Sequence, residues 1–231
     1  MGNTTTKKPI LQDVKSFPQL DASLLSEAFI DTIKSMTTES FPFVPEECFV
    51  EDITTKFKII RTLGRGASCE VFEAQAIDDK THDLVALKKL HLSDHQNQLR
   101  FKNEVEILAS TQHPNVVKFY QAYVDANNLY IATKLCTGGD LLDRIRKFRI
   151  FSEAKTSVIL KSLIETIAYC HSKNIVHRDL KPGNLVFEDD HHNANLIIID
   201  FGDALQINES ENYYSPCLFF FLFIYLFNFF F

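Results

Sequence analysis

The chain of 231 residues is long enough for one or two domains, and its 45% hydrophobic and 23% charged residues are ordinary for a globular protein. Its net charge of −6 argues against a general nucleic-acid-binding protein. The five cysteines are widely separated and form no C-x-x-C pair, which favours a reducing compartment over a disulfide framework or a zinc site.

The amino terminus is polar and lacks the apolar core of a secretory signal peptide. It begins M-G-x-x-x-T, the pattern for myristoylation of Gly2, and Lys7 and Lys8 follow. One acyl chain alone binds membranes only marginally. Two interpretations therefore stay open, an acylated start that contacts a membrane and an unmodified disordered start.

Residues 1–56 are predicted to be an extension, partly disordered, with one short helix. The helix is expected over Asp21 to Met36, where apolar residues recur at helical spacing. It could dock on the following domain or bind a partner. Phe41 to Pro45 is predicted to be a stiff linker, because its two prolines disfavour regular structure.

Regular structure is expected from Phe57 onward. Phe57–Leu63 reads as a strand and leads into a glycine-rich hairpin at Gly64 and Gly66, where backbone N–H groups could approach phosphates closely. Leu84–Lys88 is a second strand, and Leu99–Leu108 has a helical pattern with two acidic residues, Glu104 and Glu106. Asn128 to Leu135 is typical of a buried strand.

The second half of the chain is predicted to be mainly helical. Asp140 follows two glycines and could cap a helix. A long helix is expected over Ser152 to Lys173, with Ser152 as its cap. Its predicted buried stripe comprises Val158, Ile159, Leu163, Ile167, Ala168 and Cys170.

Two motifs follow that helix. His177 to Asn184 reads H-R-D-L-K-P-G-N, and the apolar run Leu196–Ile199 ends in Asp200-Phe201-Gly202. Together they resemble the catalytic loop and the metal-binding turn of the eukaryotic protein kinases. The resemblance implies an α+β fold of two lobes, a small antiparallel sheet with one helix and a larger helical lobe.

Other segments carry the same resemblance. The glycine hairpin is similar to G-x-G-x-x-G-x-V, with Cys69 in place of the third glycine, and Leu84–Lys88 is similar to V-A-I-K. Cys69 is expected to be a quiet small residue, and the alternative is a reactive thiol near the nucleotide. His113 to Val117 resembles a structural H-P-N-I-V turn.

The resemblance assigns chemical roles. Asp179 would accept the proton of the attacking hydroxyl, and Lys181 would place positive charge near the transferring phosphate. Asn184 and Asp200 would hold Mg²⁺ through oxygen atoms. Lys88 would grip the α- and β-phosphates of ATP, with Glu104 rather than Glu106 as its acidic partner.

Main-chain groups near Cys136 would bind adenine, Thr133 would lie at the back of its pocket, and Asp140 would lie near the ribose as well as capping its helix. The full set assigned to ATP is Leu63, Gly64, Gly66, Val71, Ala86, Lys88, Glu104, Cys136 and Asp140.

The branch of the family is indicated by Lys181-Pro182, which resembles the serine/threonine kinases. The segments SKNIVHRDLKPGN and TGGDLLDRI are similar to those of calcium/calmodulin-dependent and calcium-dependent kinases. The sequence contains no D-x-D-x-D-G calcium loop.

The kinase-like domain is expected over 57–216, with an incomplete helical lobe, because the pattern fails soon after Gly202. Residues 217–231 form a phenylalanine-rich tail, and eight of the fourteen residues from Leu218 are Phe. That is short for a bilayer span, which needs about 20 apolar residues. Three explanations stay open: an artefact of gene prediction or a truncated chain, a cap on the incomplete lobe, or a membrane-inserting tail.

The predicted function is ATP- and Mg²⁺-dependent phosphorylation of serine or threonine hydroxyls in protein substrates, with no nucleic-acid partner. The predicted location is cytoplasmic, with membrane association through Gly2 or the tail as an option. The alternative is an ATP-binding fragment without transferase activity that acts as a scaffold or as a membrane-tethered regulator.

Overall fold

The computed structural model describes residues 40–66, 69–77, 84–148 and 152–207. The expectations for Gly2, for a helix over residues 21–36 and for the tail at 217–231 lie outside these residues. Within the described ranges, no helix is both long enough and apolar enough to cross a bilayer.

The amino-terminal unit is a five-stranded antiparallel sheet in the order β1-β2-β3-β5-β4. Its strands are β1 (Phe57–Arg65), β2 (Cys69–Ala76), β3 (Leu84–His91), β4 (Phe119–Val124) and β5 (Asn128–Lys134). Strand β5 is buried along most of its length because it lies inside the sheet, between β3 and β4.

Helix α1 (His95–Ser110) packs on β3, β4 and β5. Asp94 caps it by accepting a hydrogen bond from the Gln96 N–H. One face is buried and carries Asn97, Phe101, Glu104, Val105, Ile107 and Leu108. A buried glutamate on this mostly apolar face needs a partner, since charged groups are costly to bury alone.

The second unit contains helices α2 (Leu141–Phe148) and α3 (Glu153–Ser172) and two small antiparallel pairs. Strand β6 (Ile175–Val176) pairs with β9 (Leu205–Gln206), and β7 (Leu185–Phe187) pairs with β8 (Leu196–Ile198). The described part of the chain is thus an α+β fold of two lobes.

The extent of α3 agrees with its prediction, and the Ser152 side chain accepts a hydrogen bond from the Lys155 N–H as a cap. The predicted buried stripe is wrong at two positions. Val158 is 60% exposed and Ala168 is also exposed. The buried residues are Ile159, Leu163, Thr166 and Cys170, a narrower row that alternates steps of four and three residues.

The turn at His113–Val117 connects the two units, as its predicted structural role requires. The Val117 N–H donates to the Ile198 carbonyl at 3.0 Å, and the Ile198 N–H donates to the Asn115 carbonyl at 2.8 Å. Strand β8, which leads directly to Asp200, is therefore held by main-chain bonds from the sheet side.

Residues 41–45 are not a linker spanning open solvent. Phe41 and Val44 are each only 3% exposed and belong to a cluster with residues of α1, β4 and β5. The prolines prevent regular structure, as expected, but an irregular segment can still bury apolar side chains. The sequence pattern described the backbone correctly and did not reveal the packing.

Helix α2 is anchored on the β7–β8 hairpin by Arg144 and Gly138. Arg144 is buried, donates to the carbonyls of Gly138, Asp189 and His191, and lies over the Phe187 ring at 4.4 Å. A Cβ added at Gly138 would lie 2.1 Å from the Asp189 carbonyl oxygen and 2.7 Å from the Phe187 Cβ. Glycine is required here by close backbone approach.

We expect Gly138→Ala to lower the free energy of unfolding by about 1–3 kcal/mol, because the methyl group meets backbone atoms that cannot move aside cheaply. Urea denaturation of the full chain measures this change. Gly64→Ala is the matched control for stability, since a Cβ there meets nothing within 4 Å. Equal stabilities of the two variants would contradict the proposed close contact.

Candidate active site

The two units meet at the ammonium group of Lys88. Its Nζ lies 2.6 Å from Oε2 of Glu104 and 2.6 Å from Oδ1 of Asp200. Lys88 is on strand β3, Glu104 is on helix α1, and Asp200 follows strand β8. The ion pair that the sequence predicts between Lys88 and Glu104 is present.

These three groups are placed so that their charges support one another. Burial alone would lower the pKa of Lys88, but the charges of Glu104 and Asp200 outweigh it and raise that pKa well above its ordinary value. Burial would raise the pKa of the Asp200 carboxyl, yet the Lys88 charge and the Gly202 N–H hold it below its usual value. Burial raises the pKa of the Glu104 carboxyl, and the Lys88 ammonium opposes that rise. Lys88 stays protonated and Asp200 stays ionised at neutral pH.

The Asp200 turn is compact and strained. Asp200 has a φ of 62°, a region that residues other than glycine rarely adopt. A Cβ added at Gly202 would lie 3.3 Å from Oε2 of Glu104 and 3.4 Å from Oδ1 of Asp200. A residue with a side chain at position 202 would therefore crowd the ion pair.

His177 joins the catalytic-loop segment to this turn. Its ring is buried, and its Nε2 lies 3.1 Å from the Ile199 carbonyl oxygen. The ring centroid lies 4.6 Å from that of Phe201, with the two rings tilted by 57°. Burial lowers the pKa of His177, which favours the neutral imidazole. The histidine is thus a packing and hydrogen-bonding residue.

The carboxylate of Asp179 is held by two neighbours on its own loop. Lys181 Nζ donates to Oδ2 of Asp179 at 2.6 Å, and Asn184 Nδ2 donates to the same oxygen at 3.0 Å and to the Asp179 carbonyl at 2.8 Å. Arg178 has a φ of 62°, so this loop carries backbone strain as the Asp200 turn does. The carboxylate is one-third exposed, which leaves it accessible.

Main-chain bonds keep the loop and the turn side by side. The Ile199 N–H donates to the Asn184 carbonyl at 3.0 Å, and Leu185 pairs with Ile198 in the β7–β8 ladder. Asn184 therefore touches Asp179 through its side chain and the residue before Asp200 through its backbone. The structure thus brings the predicted site residues into two contact groups, Lys88 with Glu104 and Asp200, and Asp179 with Lys181 and Asn184. The bond between Ile199 and Asn184 joins the two groups.

The sheet places the other predicted nucleotide residues on the same strands. Val71 pairs with Lys88 across β2 and β3, and Ala86 pairs with Thr133 across β3 and β5. Leu63, Gly64 and Gly66 lie on or after β1 and are exposed, and the Gly66 N–H donates to the Cys69 carbonyl at 2.8 Å. Their contacts with a nucleotide stay predictions.

Cys136 and Asp140, the last two predicted nucleotide residues, have different neighbours. Cys136 lines a cavity of about 530 Å³ with His113, Lys134 and Glu188, and neither Lys88 nor Asp200 lines that cavity. The predicted contribution of Cys136 to adenine binding comes from its backbone, and it stays a prediction. Asp140 Oδ1 accepts from the Asp143 N–H at 2.8 Å, so its capping role is confirmed and a contact with ribose stays a prediction.

Asn184 and Asp200 fit a magnesium ion by their chemistry. Mg²⁺ is usually held by one or two carboxylates together with substrate phosphates and water. The amide nitrogen of Asn184 donates to Asp179, so its amide oxygen points away from Asp179. Asp200 accepts from Lys88 through Oδ1, and its Oδ2 is the second carboxylate oxygen. These two residues can supply hard oxygen ligands beside a triphosphate.

Sequence reasoning missed a second connection between α1 and the Asp200 turn. Asn103 Nδ2 donates to the carbonyls of Phe201, Gly202 and Ala204 at 3.3, 3.2 and 2.6 Å. Arg100 forms two hydrogen bonds with the Asp203 carboxylate. The only hint in the sequence is an asparagine next to Glu104. No sequence pattern predicts that the amide of such a residue will donate to three carbonyls.

We expect Asn103→Leu to reduce the free energy of unfolding by about 1–3 kcal/mol, because the three carbonyls lose their donor. Asn97→Leu is the matched control on the same helix. The Asn97 Nδ2 has a single long bond of 3.3 Å to His91 O, and its Oδ1 is the one buried side-chain oxygen without a partner in the described part of the chain. Urea denaturation should show little loss for the control, and equal losses would contradict the importance of Asn103.

Comparison with known proteins agrees with this geometry. The protein kinase domain profile matches residues 57–219. Calcium-dependent protein kinase 5 of Plasmodium berghei is 41% identical over 150 residues, which cover 65% of this chain and 26% of the relative. The Plasmodium falciparum protein of the same name is 36% identical over 163 residues, covering 70% of this chain and 28% of the relative.

A relative from another organism is similar over a comparable stretch. Calcium/calmodulin-dependent protein kinase type I of Schizosaccharomyces pombe is 36% identical over 161 residues, which cover 68% of this chain and 48% of that protein. The chain spans about a quarter of the length of the two Plasmodium relatives. By its matched domain and its motifs, the chain belongs to the eukaryotic protein kinase family, on the serine/threonine branch, and is similar to calcium-dependent kinases.

Proposed function

We propose that this chain is a protein serine/threonine kinase that transfers the γ-phosphoryl group of ATP to a protein hydroxyl. The observation that carries the proposal is the double contact of Lys88 with Glu104 and Asp200, beside a loop that presents Asp179. Phosphoryl transfer depends mainly on positioning and on neutralising charge, and this site supplies groups for both.

Asp179 acts as the proton acceptor. The substrate hydroxyl oxygen forms a bond to the γ-phosphorus, the bond from that phosphorus to the β–γ bridging oxygen breaks, and ADP leaves. The hydroxyl proton passes to the Asp179 carboxylate. The contacts from Lys181 and Asn184 orient that carboxylate before the substrate arrives.

The two lysines stabilise negative charge at different places. Lys181 lies 2.6 Å from the proposed base and places its ammonium beside the transferring group. Lys88 is held on β3 for the α- and β-phosphates, and its contact with Glu104 keeps the ammonium from turning away. Fixed charges in a partly buried site act more strongly than charges in bulk water.

Asn184 and Asp200 are the residues proposed to hold Mg²⁺, which supplies neutralisation of phosphate charge when bound. The strained backbone at Asp200 and the hydrogen bond between His177 and the Ile199 carbonyl fix the Asp200 carboxylate beside Lys88, where it would also hold the ion. The support for ATP as the nucleotide is the family of the chain, together with the glycine hairpin that precedes β2.

Serine and threonine are the proposed acceptors. Lys181-Pro182 in the catalytic loop resembles the serine/threonine branch. A rice relative named calcium/calmodulin-dependent serine/threonine-protein kinase 1 is 35% identical over 175 residues. A basic peptide with a single serine is therefore the substrate of choice for a first assay, and its tyrosine counterpart is the specificity control.

We expect Asp179→Asn to lower phosphate incorporation into the serine peptide by about 10²–10⁴-fold, because the amide cannot accept the proton. Its affinity for Mg·ATP should stay within about threefold of the parent, since the base does not hold the nucleotide in this mechanism. Labelled phosphate transfer and calorimetric titration measure the two quantities. Asp190→Asn is the control, because its carboxylate is 77% exposed on the β7–β8 turn.

A different pair of results would support the alternative function, a nucleotide-binding scaffold without transferase activity. Negligible transfer by the parent chain and by Asp179→Asn, alongside measurable binding of Mg·ATP, would leave a nucleotide-binding regulator and reject the kinase. Loss of nucleotide binding in Lys88→Met, with a folded protein by circular dichroism, would show that Lys88 belongs to the binding site.

The proposed location is the cytoplasm, with membrane contact through an acyl group on Gly2. The support is the amino-terminal pattern followed by two lysines. We expect Gly2→Ala to shift the protein from the membrane fraction to the supernatant on cell fractionation, because it removes the glycine that the myristoylation pattern requires. A distribution that does not change, with no myristate incorporated by the parent, would contradict the acyl anchor.

A further inference from the structure

The segment Ser40–Val50 precedes the matched kinase domain and lies against its sheet and helix. The kinase-domain match begins at residue 57, so this segment is additional to it. The Val50 N–H donates to the Val124 carbonyl at 2.9 Å, and Phe49 forms a parallel bridge with Val124. These bonds fasten the end of the segment to β4, the edge strand of the sheet.

The other end of the segment packs on helix α1. The Phe41 ring meets the Phe101 ring edge to face at a centroid distance of 5.4 Å and an interplanar angle of 87°. Phe43 contacts the same ring at 6.1 Å. Phe101 is fully buried and Phe41 nearly so, so this aromatic group is a packed contact.

The contacted face of α1 is also the face that carries Glu104. Phe101 precedes Glu104 by one helical turn, and Val105 belongs to the same apolar cluster as Phe41, Val44 and Phe101. Residues three and four apart on a helix are neighbours on one face. A displacement of α1 at Phe101 therefore moves the Glu104 carboxylate relative to Lys88.

Helix α1 has polar contacts with the Asp200 turn and separate apolar contacts around Phe101 and Val105. Arg100 and Asn103 tie the helix to residues 201–204, and the segment supplies contacts from the direction of β4. The ion pair at 2.6 Å needs the helix to be fixed from both directions, since a shift of about 1 Å in a catalytic group can change rates greatly.

We propose that Ser40–Val50 is an intrachain clamp that positions helix α1, with Phe41 as the positioning residue that acts on Lys88 through Phe101 and Glu104. The clamp rests on the proposed nucleotide site, because its effect is read at Lys88. Phe41 touches neither substrate nor metal. It sets where the acidic partner of Lys88 stands, and so controls how firmly the lysine is held for the nucleotide.

The first experiment is a double-mutant cycle on the 231-residue chain, with Mg·ADP affinity measured by calorimetry. We expect Phe41→Ala to weaken binding about tenfold, a size typical of coupling between sites. In a Glu104→Gln background, where the ion pair is already lost, Phe41→Ala should change the affinity less than twofold. Equal weakening in both backgrounds, or no weakening in the parent, would overturn the proposal.

Phe57→Ala is the matched control for general damage to the core. Phe57 is 4% exposed, as buried as Phe41, but it belongs to a separate cluster that contains no residue of α1. It should destabilise the protein without the selective loss of affinity. Phe41→Leu keeps an apolar side chain in the site and should recover most of the affinity, which keeps the test usable if Phe41→Ala folds poorly.

The second experiment does not depend on nucleotide binding. Amide hydrogen exchange along α1 should speed up about tenfold in Phe41→Ala around residues 101–108, while Phe57→Ala leaves that stretch within twofold of the parent. If the parent binds no nucleotide, the proposed function fails, and this measurement still decides the clamp. Exchange rates at residues 101–108 that change equally in Phe41→Ala and Phe57→Ala would overturn the clamp.

Discussion

The contact of one ammonium group with two carboxylates governs this structure. Lys88 Nζ meets Glu104 and Asp200 at the same distance, 2.6 Å, and these residues come from a strand, a helix and the end of a second sheet. A buried charge left without a partner would cost several kcal/mol. The three elements must therefore meet together, which fixes the helix against the sheet and the two lobes against each other.

The other residues of the candidate site stabilise the contact of Lys88 with Glu104 and Asp200. Backbone bonds tie strand β8 to the turn before β4, and His177 and Asn184 tie the catalytic loop to the residues around Asp200. Two non-glycine residues with positive φ, Arg178 and Asp200, lie in these segments. Strain of this kind persists only where surrounding contacts determine the backbone, and here those contacts are dense.

Helix α1 is the element with the most varied support. It contacts the sheet through apolar side chains, the Asp200 turn through Arg100 and Asn103, and the amino-terminal segment through Phe101. Each support comes from a different part of the chain. The position of Glu104 consequently depends on residues more than 60 positions before and about 100 positions after it in the sequence.

Local pattern was sufficient to predict several of the elements and to suggest the residues of the candidate site. The strand before the glycine hairpin, helix α3 with its Ser152 cap, and the H-R-D and D-F-G motifs all depend on neighbours in sequence, where periodicity and capping act. Tertiary structure alone decided that Phe41 is buried, that Val158 is exposed and that Asn103 meets three carbonyls. Those outcomes depend on which distant segment covers a given face, and the free energy of that choice comes from contacts between residues far apart in the chain, which no local pattern records.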